Sequence, residues 1–257
     1  MPTSRNSGTK KFDDYHSGVW DHFHKCFDKY IKKRDDESLH QMRVSIKKII
    51  ALVHFIEYCN KEFDVKQMEP VTKMFRLSGK LRDNRNAHLF CEKFAIQKSA
   101  FENEDSKQKS VLKKLKSRHK KSDSFAKLRN EINKHITPGN ARQLKGYLAG
   151  IMEQVIIAFG KKISDEKLHD TRKKMKEVTY LSKLQSNRGI DVIGKSRLEL
   201  LLDLEDVIGD WHDLNKFRVQ LQNKKINKKV FDKVKEKEYL LHSETLNLAS
   251  IFTGKTR

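Results

Sequence analysis

His40, Arg43 and Lys47 stand at steps of 3 and 4 in the segment LHQMRVSIKKII, residues 39–50. On a helix that spacing stacks them one turn apart on one face, with Lys48 at the edge of the same arc. Arg brings a planar fork that grips phosphate oxygens in pairs, and Lys brings a point charge. His adds a third donor once protonated, and neighbouring phosphates favour that form. Like charges so spaced repel on an isolated helix. An anion with repeating charges would offset the repulsion. The order returns at His169, Arg172 and Lys176, with Lys173 alongside, in LHDTRKKMKEVTYL, residues 168–181. A single lysine-rich helix would read as a solvated basic flank; a second copy, 129 residues on from His40 to His169, points to an internal duplication.

A second pair of segments follows the first. Gly79-x-x-Arg82-Asp83 stands downstream of the first row and Gly209-x-x-His212-Asp213 downstream of the second, with the two glycines 130 residues apart. The expected role of each glycine is to end a helix in a left-handed turn. Asp83 and Asp213 are then expected to cap the next helix, or to orient Arg82, His212 or a motif histidine. No nucleophile accompanies them.

The elements that must carry these rows are helices. Leu39, Met42, Ile46, Ile49, Val53 and Ile56 recur at steps of 3 and 4, the apolar stripe of a core-facing helix, and the basic row lies about 100° around the axis from it. Only 3 Pro and 11 Gly interrupt 257 residues, and no stretch alternates with period 2. The fold expected is all-α, with about four principal helices in each half of an internal repeat: 1–124, with a disordered tail over 1–11 and a basic connector over 102–124, and 125–257. Helices are expected over about 13–33; 38–60, capped by Ser38 with Gln41; 64–77, where Pro70 kinks the helix or delays its start; and 83–101. The second half should hold helices over about 125–136, 141–161 after a break at Thr137-Pro138-Gly139, 165–187 with a cap from Ser164 or Asp165, 192–208, one from 210, and 227–251. The last should bury Tyr239, Leu240, Leu246, Leu248 and Ile251.

Charge sets the partner class. Lys+Arg number 55 against 34 Asp+Glu, a net +21, which implies a polyanion: nucleic acid, anionic membrane or another phosphate polymer. Cys26, Cys59 and Cys91 fall in apolar helical patterns and read as reduced core residues. No apolar run approaches a membrane span of roughly 18 residues, and the first residues, MPTSRNSGTKK, lack a secretory apolar segment.

The two histidine rows and the two glycine–aspartate segments, in this order, resemble the CHAD domain family, whose first half reads His-x-x-Arg-Val followed by paired bases and whose second reads His-x-x-Arg-x-x-x-Lys-x-x-x-Tyr. His169, Arg172, Lys176, Tyr180, Gly209 and Asp213 match the second pattern. The resemblance implies two four-helix bundles about a pseudo-twofold, a basic channel or groove between them, binding of inorganic polyphosphate, and a place on cytoplasmic polyphosphate granules. Carried over by position, the binding residues are His40, Arg43, Lys47, Lys48, Arg76 and Arg82, then His169, Arg172, Lys173, Lys176, Lys195, Arg197 and His212. Ile50 and Thr179 depart from the pattern where relatives often place Arg, Glu177 where they place a base, and Ser78 where they place Leu.

The expected function is therefore polyphosphate binding without turnover, with no cofactor, no metal and no membrane partner. Non-specific nucleic-acid binding is the rival, since any chain of this charge releases counterions from phosphate backbones. Against base readout, the aromatics keep core spacing and do not interleave with the basic rows. A phosphotransferase with His40 or His169 as nucleophile is the weaker rival, because no phosphate-cradling glycine loop or acidic pair for magnesium accompanies them. His16, His22 and His24 are expected at the surface or the core edge and not as metal ligands.

Overall fold

In the computed structural model, residues 7–120, 123–137, 140–160, 163–184 and 193–254 are described, and every regular element among them is helical. The helices are α1 (Ser7–Lys33), α2 (Asp36–Cys59), α3 (Glu69–Lys93), α4 (Glu102–Lys120), α5 (Asp123–His135), α6 (Asn140–Phe159), α7 (Asp165–Ser182), α8 (Lys195–Leu221) and α9 (Lys228–Phe252), with single 3-10 turns at Val65–Met68 and Lys98–Phe101. None of the described helices is long and apolar enough to cross a membrane. Two compact units form: unit 1 is Met1–Arg82, Ser110–Gly150 and Tyr180–Val192, and unit 2 is Asp83–Lys109, Ile151–Thr179 and Ile193–Arg257.

In unit 1 the α2 stripe behaves as its spacing predicts: Leu39, Met42, Ile46, Ile49, Val53 and Ile56 are all buried. Each such side chain contributes about 1.5–3 kcal/mol by leaving water. They share the core with aromatic residues of α1, where Trp20 and Phe23 pack edge-on and both meet Phe125 of α5. Asp35, not Ser38, caps α2: its carboxylate accepts the Ser38 backbone N–H at 2.8 Å and the Ser38 hydroxyl at 2.8 Å. Ser38 is itself buried, and Gln41 bonds Glu37 instead of closing a capping box.

His16 lies in this core, not at its edge. The Trp20 indole N–H can only donate, so His16 Nε2 accepts it at 2.7 Å, and His16 Nδ1 donates to Asn133 Oδ1 at 2.7 Å. That pair of bonds defines a neutral imidazole, and burial holds its pKa down at about 4. The three cysteines are free, Cys26 and Cys91 buried and Cys59 half-buried.

In unit 2, α8 supplies the centre of the core through Leu201, Leu204, Ile208, Trp211, Leu214, Phe217 and Leu221. Ala87, Cys91, Phe101 and Val234 close around its C-terminal half. The expected breaks at Gly79 and Gly209 do not occur, because α3 and α8 run through both glycines. Pro70 sits in the first turn of α3, where its missing N–H costs nothing. Asp83 and Asp213 are therefore mid-helix and cap nothing. The α9 helix buries the face of Val234, Thr245, Ala249 and Phe252, while Tyr239, Leu240, Leu246 and Ile251 are exposed. α1 begins at Ser7, inside the stretch expected as a tail, and most of the expected connector is α4, anchored by fully buried Leu115. The expected breaks at Pro138-Gly139 and near residue 188, residues 1–6 of the tail and residues 121–122 of the connector lie outside the described residues.

Candidate functional site

The first row is built on α2 and read out on α3, within unit 1. Arg43 is only 6% exposed, and its guanidinium lies against Gly79. Its Nη1 donates to the Phe75 carbonyl at 2.8 Å and to the Ser78 hydroxyl at 2.9 Å, while the guanidinium carbon stands 4.3 Å from the Phe75 ring centroid. A Cβ on Gly79 would come within 3.2 Å of Nη1, so the glycine is there to let the guanidinium in. Ser78, where the family pattern has Leu, serves the same contact as an acceptor.

Around this crossing His40 is exposed and Lys47, Lys48 and Arg82 are half-buried, whereas exposed Arg76 lies on the other side of α3. The Lys48 ammonium is held below its usual pKa, first by burial and then by Lys183. The sequence alone offered no reason to place Lys183 beside it.

The second row repeats the crossing within unit 2. Arg172 Nε donates to the Glu205 carbonyl at 2.9 Å, and its guanidinium covers Gly209. In both units the accepting carbonyl lies four residues before the glycine: Phe75 before Gly79, Glu205 before Gly209. Numbers rise along α7 as they fall along α8, so the two helices cross antiparallel. His169 stacks on His212 at 4.2 Å between ring centroids, Arg172 covers Gly209, and Lys176 reaches Glu205.

Each rung has its own electrostatics. His169 Nδ1 is buried with no hydrogen-bond partner within the protein. Burial first, then the His212 and Lys173 charges, lowers its pKa to about 4, so the free protein holds it neutral. His212 Nδ1 stands 3.6 Å from Asp213 Oδ1. The Glu205 side chain is buried, accepts Lys176 Nζ at 2.9 Å, and accepts the Thr179 hydroxyl. Thr179, another departure from the family pattern, thus helps satisfy a buried carboxylate that periodicity could not reveal.

The remaining named residues lie at the margins. Lys173 pairs with Asp170 at 2.8 Å in the open, a contact worth little. Lys195 and Arg197 occupy the exposed first turn of α8, with Arg197 5.9 Å from the Phe252 ring centroid. The structure thus joins His169, Arg172, Lys176 and His212 into one ladder, and leaves Lys195 and Arg197 off it.

These observations define an all-helical basic protein in which the arginine of a His-x-x-Arg row is twice locked over a helical glycine. The chain belongs to the CHAD domain family: the family model, described as CHAD domain, matches residues 17–222. No curated protein and no solved structure matches the chain.

Proposed function

We propose that this chain binds inorganic polyphosphate and does not turn it over. The observation that carries the reading is the row of His169, Arg172 and Lys176. A neutral histidine and two cations are held one turn apart by contacts to α8, and buried Glu205 offsets the charge of Lys176. The equivalent crossing at Arg43 and the net +21 support it, as does membership of a family associated with polyphosphate.

The proposal divides the labour. Arg43 and Arg172 act first as braces, since Arg43 Nη1 spends both hydrogens on the protein and Arg172 Nε spends its own. His40, Lys47, Lys48 and Arg82, with His169, Lys173, Lys195, Arg197 and His212, take the phosphates. In the same proposal each repeat's crossing centres one of the two bundles that the family implies, and the protein resides on polyphosphate granules in the cytoplasm.

The test is competition between long-chain polyphosphate, duplex DNA and RNA at physiological salt, with orthophosphate release followed in parallel. Polyphosphate should win by at least tenfold over nucleic acid of equal phosphate content, with no release. Equal competition by DNA sinks the specific claim. Orthophosphate release that disappears in His40→Ala or His169→Ala would make the protein an enzyme.

A further inference from the structure

Unit 1 has a second basic feature that neither histidine row explains. Lys73, Arg76 and Lys80 of α3 and Lys113, Lys114 and Arg118 of α4 line one groove of about 680 Å³. That volume lies within the roughly 300–1,000 Å³ of sites that take small ligands. Ser110 and Ser117 add hydroxyls, Leu77 is its apolar member, and no carboxylate or aromatic ring is among the lining residues. Glu69, one turn before Lys73, pairs with it. Its carboxyl is held below the usual range by Lys73 first, with further contributions from Arg118 and Arg76.

The groove is distinct from the glycine crossing. At 100° per residue, positions 73, 76, 77 and 80 lie on the side of α3 opposite positions 75, 78, 79 and 82, the side that receives Arg43. The repeat does not preserve it either. Counting 130 residues on, the register that relates Gly79 to Gly209, the counterparts of Lys73, Arg76 and Lys80 are Asp203, Asp206 and Asp210. The crossing recurs in both units, but this charge does not.

We propose that the α3–α4 groove is a separate seat for a short linear condensed phosphate. Six cations in one concavity repel each other until an anion of high charge density joins them, and Arg76 and Arg118 add forked donors for phosphoryl oxygens. A base-bearing chain would want a ring to stack on, and the groove lining offers none. The inference rests on the reading that the chain binds condensed phosphates, and it adds where a short one sits.

The probe is sodium tripolyphosphate, titrated calorimetrically at physiological salt against wild type and two charge-matched variants. Lys80→Gln with Lys114→Gln alters two exposed groove positions; Lys228→Gln with Lys229→Gln alters two exposed positions at the start of α9. The groove variant should bind at least tenfold more weakly and the control within twofold of wild type. Equal effects in the two variants, or no effect in the groove variant, overturn the seat. Wild type that binds long polyphosphate but not tripolyphosphate overturns the seat and leaves the wider function standing; failure to bind either overturns both. Single-stranded oligonucleotide binding with the same dependence on Lys80 and Lys114 would overturn the assignment to condensed phosphate.

Discussion

At the scale of single residues, Gly209 and His169 make opposite demands on substitution. Ala normally stabilises a helix interior by about 0.5–1 kcal/mol over Gly. At Gly209 a Cβ would overlap Arg172 Nη2 and stand 3.0 Å from its Cζ and 3.2 Å from Nε. The guanidinium must then shift, which strains the bond from its Nε to the Glu205 carbonyl. Gly209→Ala should therefore destabilise by about 1–3 kcal/mol, as overpacking does, and the urea midpoint should fall. With Arg172→Ala already in place the same change should become neutral or stabilising, which a double-mutant cycle will show. Gly79→Ala, with its nearest contact at 3.2 Å, should cost less. His169 and His16 carry a pH prediction. Both have folded pKa values lowered from 6.5 to about 4, so the unfolded chain binds more protons between those values. Their contribution to stability is complete above about pH 6.5 and is lost as pH falls toward 4. Imidazole NMR at pH 5.5 should find these two rings neutral. Polyphosphate should then raise the pKa of His169 and leave that of His16 unmoved; a still His169 would mean that the phosphates do not reach it.

At the scale of elements, α7 is fixed to α8 through a buried carboxylate, and this separates a brace from a ligand. Lys176→Met removes the cation from Glu205, which is almost wholly buried. Breaking such a pair costs about 3–5 kcal/mol, and the partial exposure of Lys176 puts the expected loss near the low end. Lys176→Met with Glu205→Gln should recover most of it, read as urea midpoints. Were Lys176 mainly a phosphate contact, the single variant would lose affinity and keep its stability. The sequence showed this element pair only in part. The α2 stripe and the order His, Arg, Lys were legible because both follow the helical period that burial imposes. The role of Gly79 and Gly209 was not. A glycine that ends a helix and one that admits a guanidinium look alike until the approaching side chain is known. The same holds for α9. Its buried face includes Thr245 and Ala249, which carry less apolar signal than the exposed Tyr239, Leu240 and Ile251. The lysine run of α4 read as a connector because Leu115 is the only fully buried side chain among its described residues, and the groove it forms needs residues from α3, thirty or more positions earlier.

At the scale of the whole molecule, the net +21 is unevenly shared. Unit 1 holds 30 Lys and Arg against 14 Asp and Glu, a net +16, and unit 2 holds 25 against 20, a net +5. A field of this size draws any polyanion at low salt, and it acts on arrival more than on residence. Charges in the binding machinery should instead set how fast the polymer leaves. Lys228 and Lys229, exposed in unit 2, belong to the first kind. Reversing both to Glu takes the net charge from +21 to +17 without touching a named contact. Association with long polyphosphate should slow severalfold at about 10 mM salt, where the Debye length is roughly 30 Å, and recover at physiological salt, where it is roughly 8 Å. Dissociation should be the same as wild type at both. Surface-plasmon measurements of the two rates at two salts decide it. A faster dissociation in this variant would mean that α9 holds the polymer directly, and that affinity follows total charge instead of the placed residues of α2, α3, α4, α7 and α8.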